Sequence, residues 1–271
     1  MRIWLALAGV VAALAADASA APRELLIAAS PSLADAVHAV ASAYEQAHPD
    51  VKVKIYFDDG LDLRRTIAAM ENNPRGQYFI GSGPISLIAP GSDELISRLQ
   101  QRYYVLPDSR HPYVEERLVM IAPESLVEAP QDFAALRSGR YRVAVPDPEH
   151  TQTGRMTAGF LRAAGLADVL RDQIDVAVDV RGVLDHVLSG QADVGIALAR
   201  EAVRERQRVR IVAAAEPRGY QPITHSMAME RYCPDRALCA DFLTFIQSAD
   251  AQRALVRLGY SIPTSIQMIT P

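Results

Sequence analysis

The chain reads as an α/β protein built in two lobes, and three observations lead there. Strand-like and helix-like segments alternate along most of its 271 residues, a pattern that gives mixed, mostly parallel sheets flanked by helices. About 250 of those residues remain once the first twenty are set aside, which is more than one sheet usually needs. The composition, 49% hydrophobic and 22% charged with Gly 15 and Pro 17, is that of a folded globular chain.

The first element is not part of the fold. Met1-Arg2 precedes an apolar run from Ile3 to Ala16, and Ala18-Ser19-Ala20 closes it. A positive start, a short apolar stretch and an Ala-x-Ala ending make residues 1–20 a secretory signal peptide. About 14 apolar residues are too few to cross a bilayer, which needs about 20, and no cysteine follows to carry a lipid. The expectation is a soluble protein exported to a bacterial periplasm. In that oxidising compartment Cys233 and Cys239 are expected to form a structural disulfide or to stay as two inert thiols.

Leu25 to Ala28 is a short apolar run, followed by a helix signal from Ser32 to Gln46 with Leu33, Val37, Val40 and Tyr44 on one face. Val51, Val53, Ile55 and Phe57 alternate with polar residues as a half-buried strand does. Helical patterns recur near 61–72, 92–101, 131–137, 155–164, 180–188, 199–206, 235–247 and 250–258. Strand-like runs lie at 117–122, 141–145, 174–178, 192–197, 209–214 and 223–229. The runs Arg117 to Ala122 and Ile223 to Met229 are candidates for strands that cross between lobes. That division gives lobe I residues 21–116 and 219–271, and lobe II residues 117–218.

Several function classes are excluded or weakened. A formal net charge of -4 leaves no broad basic face for a phosphate backbone, so nucleic acid is not an expected partner. Two cysteines cannot make a four-cysteine zinc site, and the six histidines (38, 48, 111, 150, 186, 225) show no metal spacing. Surface or capping roles are expected for them, with His225 the exception worth following. No nucleophile elbow, Walker loop or dinucleotide fingerprint is present. The sequence thus offers no catalytic residue, metal or cofactor.

Four helix entrances carry the interesting residues: Ala28-Ala29-Ser30-Pro31-Ser32, Asp58-Asp59-Gly60-Leu61-Asp62, Asp147 to Gly154, and Asp179-Val180-Arg181-Gly182. Each follows a strand, and a helix start points unpaired backbone N–H groups at whatever lies there. Taken alone, Ser30 is a plain serine N-cap. Four such ends in an exported α/β chain favour a binding cleft.

These residues carry a resemblance. Ala28-Ala29-Ser30 with its helix is similar to the opening of the molybdate-binding periplasmic proteins, a branch of the type II solute-binding proteins of ABC importers. Asp147-Pro148-Glu149-His150 with Gly154, Asp179-Val180-Arg181-Gly182, Gly195-Ile196 and the ending Gln252 to Tyr260 match that family in order and spacing. The likeness spans nearly the whole mature chain and is loose between residues 70 and 115. It implies a two-lobed type II periplasmic-binding-protein fold, closing over an oxyanion held by neutral hydrogen bonds. The ligand would take the hydroxyl and amide of Ser30 and the amides of Thr153 and Val180. It also implies delivery to the membrane subunits of an ABC importer by a monomeric, non-enzymatic protein.

Two positions depart. Gly60, within Asp58-Asp59-Gly60, stands where the family has a ligand-binding serine, and Leu198 stands where it has a tyrosine. A carboxylate beside a doubly negative ion at about 5 Å and an effective dielectric of about 20 costs about 6–7 kcal/mol. Losing each donor to a charged group removes about 1.5–3 kcal/mol. Either Asp58 and Asp59 point outward, with Asp59 as an N-cap and Gly60 still offering its amide, or Asp59 marks a ligand with a cationic or hydroxyl-donating part. In the second case Arg155 or Arg181 would meet an anionic part. The alternative function is a periplasmic accessory protein that kept the fold and binds an organic or cationic ligand, or a protein partner.

Overall fold

A computed structural model describes residues 21–58, 79–80, 83–216 and 220–263. Two five-stranded sheets organise the chain. The first has the order β2-β1-β5-β12-β6, and the second β11-β7-β10-β8-β9. β1 (Arg23–Ala29), β2 (Val51–Phe57) and β5 (Leu87–Ala89) run parallel, with Leu25 beside Val53 and Ile27 beside Leu87. β12 (Thr224–Met229) is antiparallel to both β5 and β6 (His111–Glu115). In the second sheet β10 (Val194–Leu198), β8 (Val143–Pro146) and β9 (Ile174–Ala177) are parallel, while β7 (Leu118–Pro123) is antiparallel to β10 and to β11 (Val209–Ala214). β3 (Phe79–Ile80) and β4 (Gly83–Pro84) pair as a short separate ladder.

Helices cover the sheets because their apolar stripes need burial. α1 (Ala34–Ala47) lays Val37, Val40 and Tyr44 on the first sheet, where α6 (Arg236–Phe245) and α7 (Ala249–Arg257) meet it through Phe242 and Leu255. On the other face α2 (Asp93–Gln101) buries Ile96 and Leu99 with Ile85 and Ile88. The second sheet carries α3 (Gln152–Ala163) on one side, through Met156 and Phe160. α4 (Val180–Ser189) covers the other through Val183 and Val187. Gly195 in β10 is required by that packing, because a Cβ there would lie 2.6 Å from Val183 Cγ1. α5 (Ala199–Arg204) continues directly from β10.

The helix expected from Ser32 begins as a 3-10 turn, Pro31–Leu33, before α1. The segment near 131–137 is likewise a 3-10 turn, Ala134–Ser138, ended by Gly139 in the left-handed region. The pattern near 61–72 lies outside the described residues. β5 and β6 are short strands that carry no period-two run. Neither candidate crossing strand crosses: β7 belongs wholly to the second sheet and β12 to the first. The chain passes between sheets at Glu116-Arg117 and again between β11 and β12. The two passages are tied by the Glu116 amide donating to the Ile223 carbonyl at 2.8 Å.

Cys233 and Cys239 are bonded to each other at the start of α6. No described helix is long and apolar enough to cross a membrane.

Candidate functional site

Parallel strands deliver their following loops to one edge of a sheet. In the first sheet that edge receives Ser30 after β1, Asp58 after β2 and Gly91 after β5. In the second it receives Asp147 after β8, Asp179 after β9 and the start of α5 after β10.

The Asp147 to Gly154 segment is a closed set of short-range hydrogen bonds. Asp147 accepts from the Glu149 amide at 2.7 Å and from His150 Nδ1 at 2.7 Å. The His150 bond is the main cause of an Asp147 carboxyl held below the ordinary carboxylate range, and the same bond raises His150. Thr151 caps α3 by accepting from the Gly154 amide at 2.8 Å, while its hydroxyl donates to the Asp147 carbonyl at 2.6 Å. Gly154 has to be glycine, since a Cβ would stand 2.1 Å from the Asp147 carbonyl oxygen. With the third amide capped and Arg155 N bonded to Thr151 O, the amides of Gln152 and Thr153 remain without an acceptor inside the helix. α4 repeats the arrangement. Asp179 accepts from Gly182 N at 2.9 Å, and Val183 N bonds to Asp179 O. The amides of Val180 and Arg181 are left open. Gln152 and Val180, and likewise Thr153 and Arg181, therefore occupy equivalent positions at the helix starts that follow two adjacent parallel strands, β8 and β9.

Ser30 is different. Its amide donates to the Ala89 carbonyl at 3.0 Å, so only the hydroxyl of the two donors expected from sequence is open to a ligand. That hydroxyl accepts from Ser32 N at 3.3 Å and lies 2.9 Å from the Ser32 hydroxyl. Leu33 N returns to Ser30 O, Ala34 N to Pro31 O, and Pro31 has no N–H, so the turn satisfies itself. Asp58 is half-buried, with its amide on the Ala29 carbonyl at 2.9 Å. Asp59 and Gly60 lie outside the described residues. Leu198 is 2% exposed, packed in the second core beside Leu118 and Ile196. It fills its position with apolar volume and brings no donor.

Sequence reasoning missed two features. The first is a buried charge network at the passage between sheets. Glu116, 4% exposed, accepts from Arg200 Nε at 2.9 Å and lies 3.3 Å from His225 Nε2. Burial works against the Glu116 charge, but the His225 hydrogen bond and the Arg200 guanidinium outweigh it and hold the carboxyl below its ordinary range. His225 is thus neither a surface nor a capping residue. Nearby, Arg204 of α5 bonds to Asp35 of α1 at 2.6 Å. The second is a cavity of about 790 Å3, lined among others by Ser92, Asp93, Arg110, Gln152, Arg155 and Tyr220. It includes Gln152 of the open helix start and adjoins Ser30 and Thr153, but neither these nor Val180 and Leu198 line it. Gly91, next to Ser92, abuts the Ser30 hydroxyl, and Gln152 is the first residue of α3. Among the described residues, no group of three His, Cys, Asp or Glu converges as a metal site.

Two α/β units joined by a double passage, with open helix amides on the carboxyl edge of a parallel sheet, make a ligand-binding protein of the two-lobed kind. The chain belongs to the bacterial extracellular solute-binding protein family, whose profile matches residues 25–261. It is 25% identical over 248 residues to the molybdate-binding protein ModA of Haemophilus influenzae, a match covering 89% of this chain and 91% of that one. The fold is similar to the substrate-binding domain assigned to a molybdenum ABC transporter of Clostridium difficile. The TM-score there is 0.77 at 22% identity, covering 89% of this chain and 99% of that one. The periplasmic molybdate-binding protein of Azotobacter vinelandii gives a TM-score of 0.59 at 18% identity, covering 89% and 100%.

Proposed function

We propose that this protein captures a small oxyanion in the bacterial periplasm and delivers it, as a monomer, to the membrane subunits of an ABC importer. The observation that carries the reading is the pair of open helix starts on adjacent parallel strands, Gln152-Thr153 and Val180-Arg181. Backbone N–H groups at a helix start favour negative charge without bringing a full positive charge into the site. They bind any anion that fits and discriminate by size and protonation. The Ser30 hydroxyl contributes from the other unit, residues 21–116 with 219–271, and the amides from residues 117–218. Gly60 would add an amide, and Asp59 would face outward. Leu198 would bound the cleft as an apolar wall. Closure of the two lobes is a hinge motion about the two passages, and no covalent step is involved. Molybdate is the first ligand to test because relatives at 24–25% identity carry that name.

The test is a thermal-shift titration of the mature protein with molybdate, tungstate, sulfate and phosphate. A ligand at 100 times its Kd stabilises the fold by about 2.7 kcal/mol. A shift with one or more tetrahedral oxyanions is expected. No shift with any of them, and none with a panel of organic anions, overturns the reading.

A further inference from the structure

We infer that the anion taken by this site carries a hydroxylated organic body, which occupies the 790 Å3 cavity beside the open amides of α3. The inference rests on the oxyanion reading and specifies the ligand class. The cavity is open to solvent, so its volume sets an upper bound on the ligand, and that bound lies in the range of sites that take organic molecules of many heavy atoms. The cavity's lining has the chemistry of such a ligand. Arg155, exposed on the first turn of α3, has no acidic partner among the described residues and faces the cavity. A planar guanidinium there suits a carboxylate or phosphate head, one turn from the open Gln152 and Thr153 amides.

The groups further in are suited to hydroxyls. Arg110 is already held by the carboxylate of Asp93 and by the hydroxyls of Ser97 at 3.3 Å and Ser226 at 3.4 Å. Its charge is therefore compensated, and it fixes Asp93 rather than competing for the anion. The second carboxylate oxygen of Asp93 is sealed beneath the lining with no hydrogen-bond partner, an unmet acceptor that a ligand hydroxyl reaches only by displacing the side chains above it. Tyr220 packs edge-on to Phe160, and its phenol oxygen accepts from Leu118 N at 3.3 Å, which leaves the phenolic proton for a ligand oxygen. Acceptors, hydroxyls and one free cation together match a sugar acid or sugar phosphate, whose shared chemistry is a single anionic head on a polyhydroxylated chain.

Gly159 gives a clean way to test this. It lines the cavity on α3, and a Cβ built there meets nothing within 4 Å. Gly159→Leu fills the cavity from a helical position that leucine favours, and leaves the first turn of α3 alone. The measurement is calorimetric titration of wild type, Gly159→Leu and Arg155→Ala with gluconate, 3-phosphoglycerate, inorganic phosphate and molybdate. Wild type should bind at least one organic anion about tenfold or more tighter than either inorganic ion. Both variants should lose that advantage, with inorganic binding to Gly159→Leu unchanged. Tight molybdate binding with no preference for either organic anion leaves the oxyanion reading standing and overturns this inference, as does an organic preference that survives Gly159→Leu. Failure of all four probes counts against the oxyanion reading itself.

Discussion

Ser30-Pro31-Ser32 and Asp147 to Gly154 look alike in sequence, each a strand end followed by small polar residues and a helix, but they fold to opposite ends. At the first, the sheet takes the Ser30 amide and a 3-10 turn consumes the next donors. At the second, a capped third amide leaves the first two open. The difference lies in where the cap falls. Thr151 and Asp179 reach forward to a glycine three residues on, which holds the helix start apart from its own strand. Ser30 reaches only to Ser32, and the chain tightens on itself. A small polar residue before a helix is thus not enough to predict an anion site. The spacing to the residue it caps decides.

The strongest way to break this contrast is Gly154→Ala. Its Cβ would overlap main-chain carbonyl oxygens at 2.1 and 2.6 Å, and backbone cannot step aside as a side chain can. The expected loss is at least about 3 kcal/mol, in the range of severe backbone substitutions, with α3 displaced and anion binding lost. Gly91→Ala is the control on the other edge, where the nearest contact is the Ser30 hydroxyl at 2.9 Å. A rotamer change there relieves the contact, so a loss of under about 1 kcal/mol is expected. Urea denaturation of both variants decides; comparable losses would mean the two edges do not differ in rigidity.

The two sheets should also differ in their response to pH. Glu230 lies fully buried under the first sheet, its amide on the Ser86 carbonyl at 3.0 Å, and desolvation lifts its carboxyl to about 8. A carboxyl raised on folding gives stability that is complete below its unfolded value near 4.5 and is lost as pH rises toward 8. The expected loss between pH 4.5 and 7 is about 3 kcal/mol. Asp147 on the second sheet is depressed by His150, so its contribution has the opposite sign and is lost as pH falls through its folded value. Because the His150 ring is exposed and water screens its bond to Asp147, that part is small. Glu230→Gln should flatten the decline in melting temperature between pH 4.5 and 8. An unchanged slope would mean that Glu230 stays ionised in the fold.

How far the sequence foretold this molecule depends on the range of the interactions. The alternation of strands and helices, the Asp147 to Gly154 segment and the Asp179 cap are local, and their hydrogen bonds span two to four residues. They were readable. The Glu116–Arg200–His225 network was not, because its partners are 84 and 109 residues apart and meet only where the chain passes between sheets. The cavity escaped for the same reason, since Asp93, Arg155 and Tyr220 come from three distant segments. Short strands such as β5, three residues long and buried on both faces, carry no period-two signal to detect. The commitment of the Ser30 amide to Ala89 also needs a sheet register that sequence does not display.

The smallest effects sharpen the comparison most, because they separate stability from binding. Thr151→Ala removes a side-chain cap and should cost about 1 kcal/mol. Ser30→Ala removes an acceptor held at 3.3 Å from a half-exposed turn and should cost about half as much, within the few-tenths scale of weak caps. Binding should rank the other way. Without Thr151 the start of α3 frays, yet the Gln152 and Thr153 amides can be recovered when an anion orders them, so part of the affinity survives. Without Ser30 the first sheet's edge loses its open hydroxyl, since the neighbouring amides of Ser30, Leu33 and Ala34 are all engaged. About tenfold weaker binding of the tightest anion is expected, the equivalent of one hydrogen bond to a charged group. Calorimetric titration of Ser30→Ala, with the melting temperature measured alongside, is the check. A melting temperature and affinity both unchanged would confine the ligand to residues 117–218 and make the first sheet's edge a lid rather than a donor.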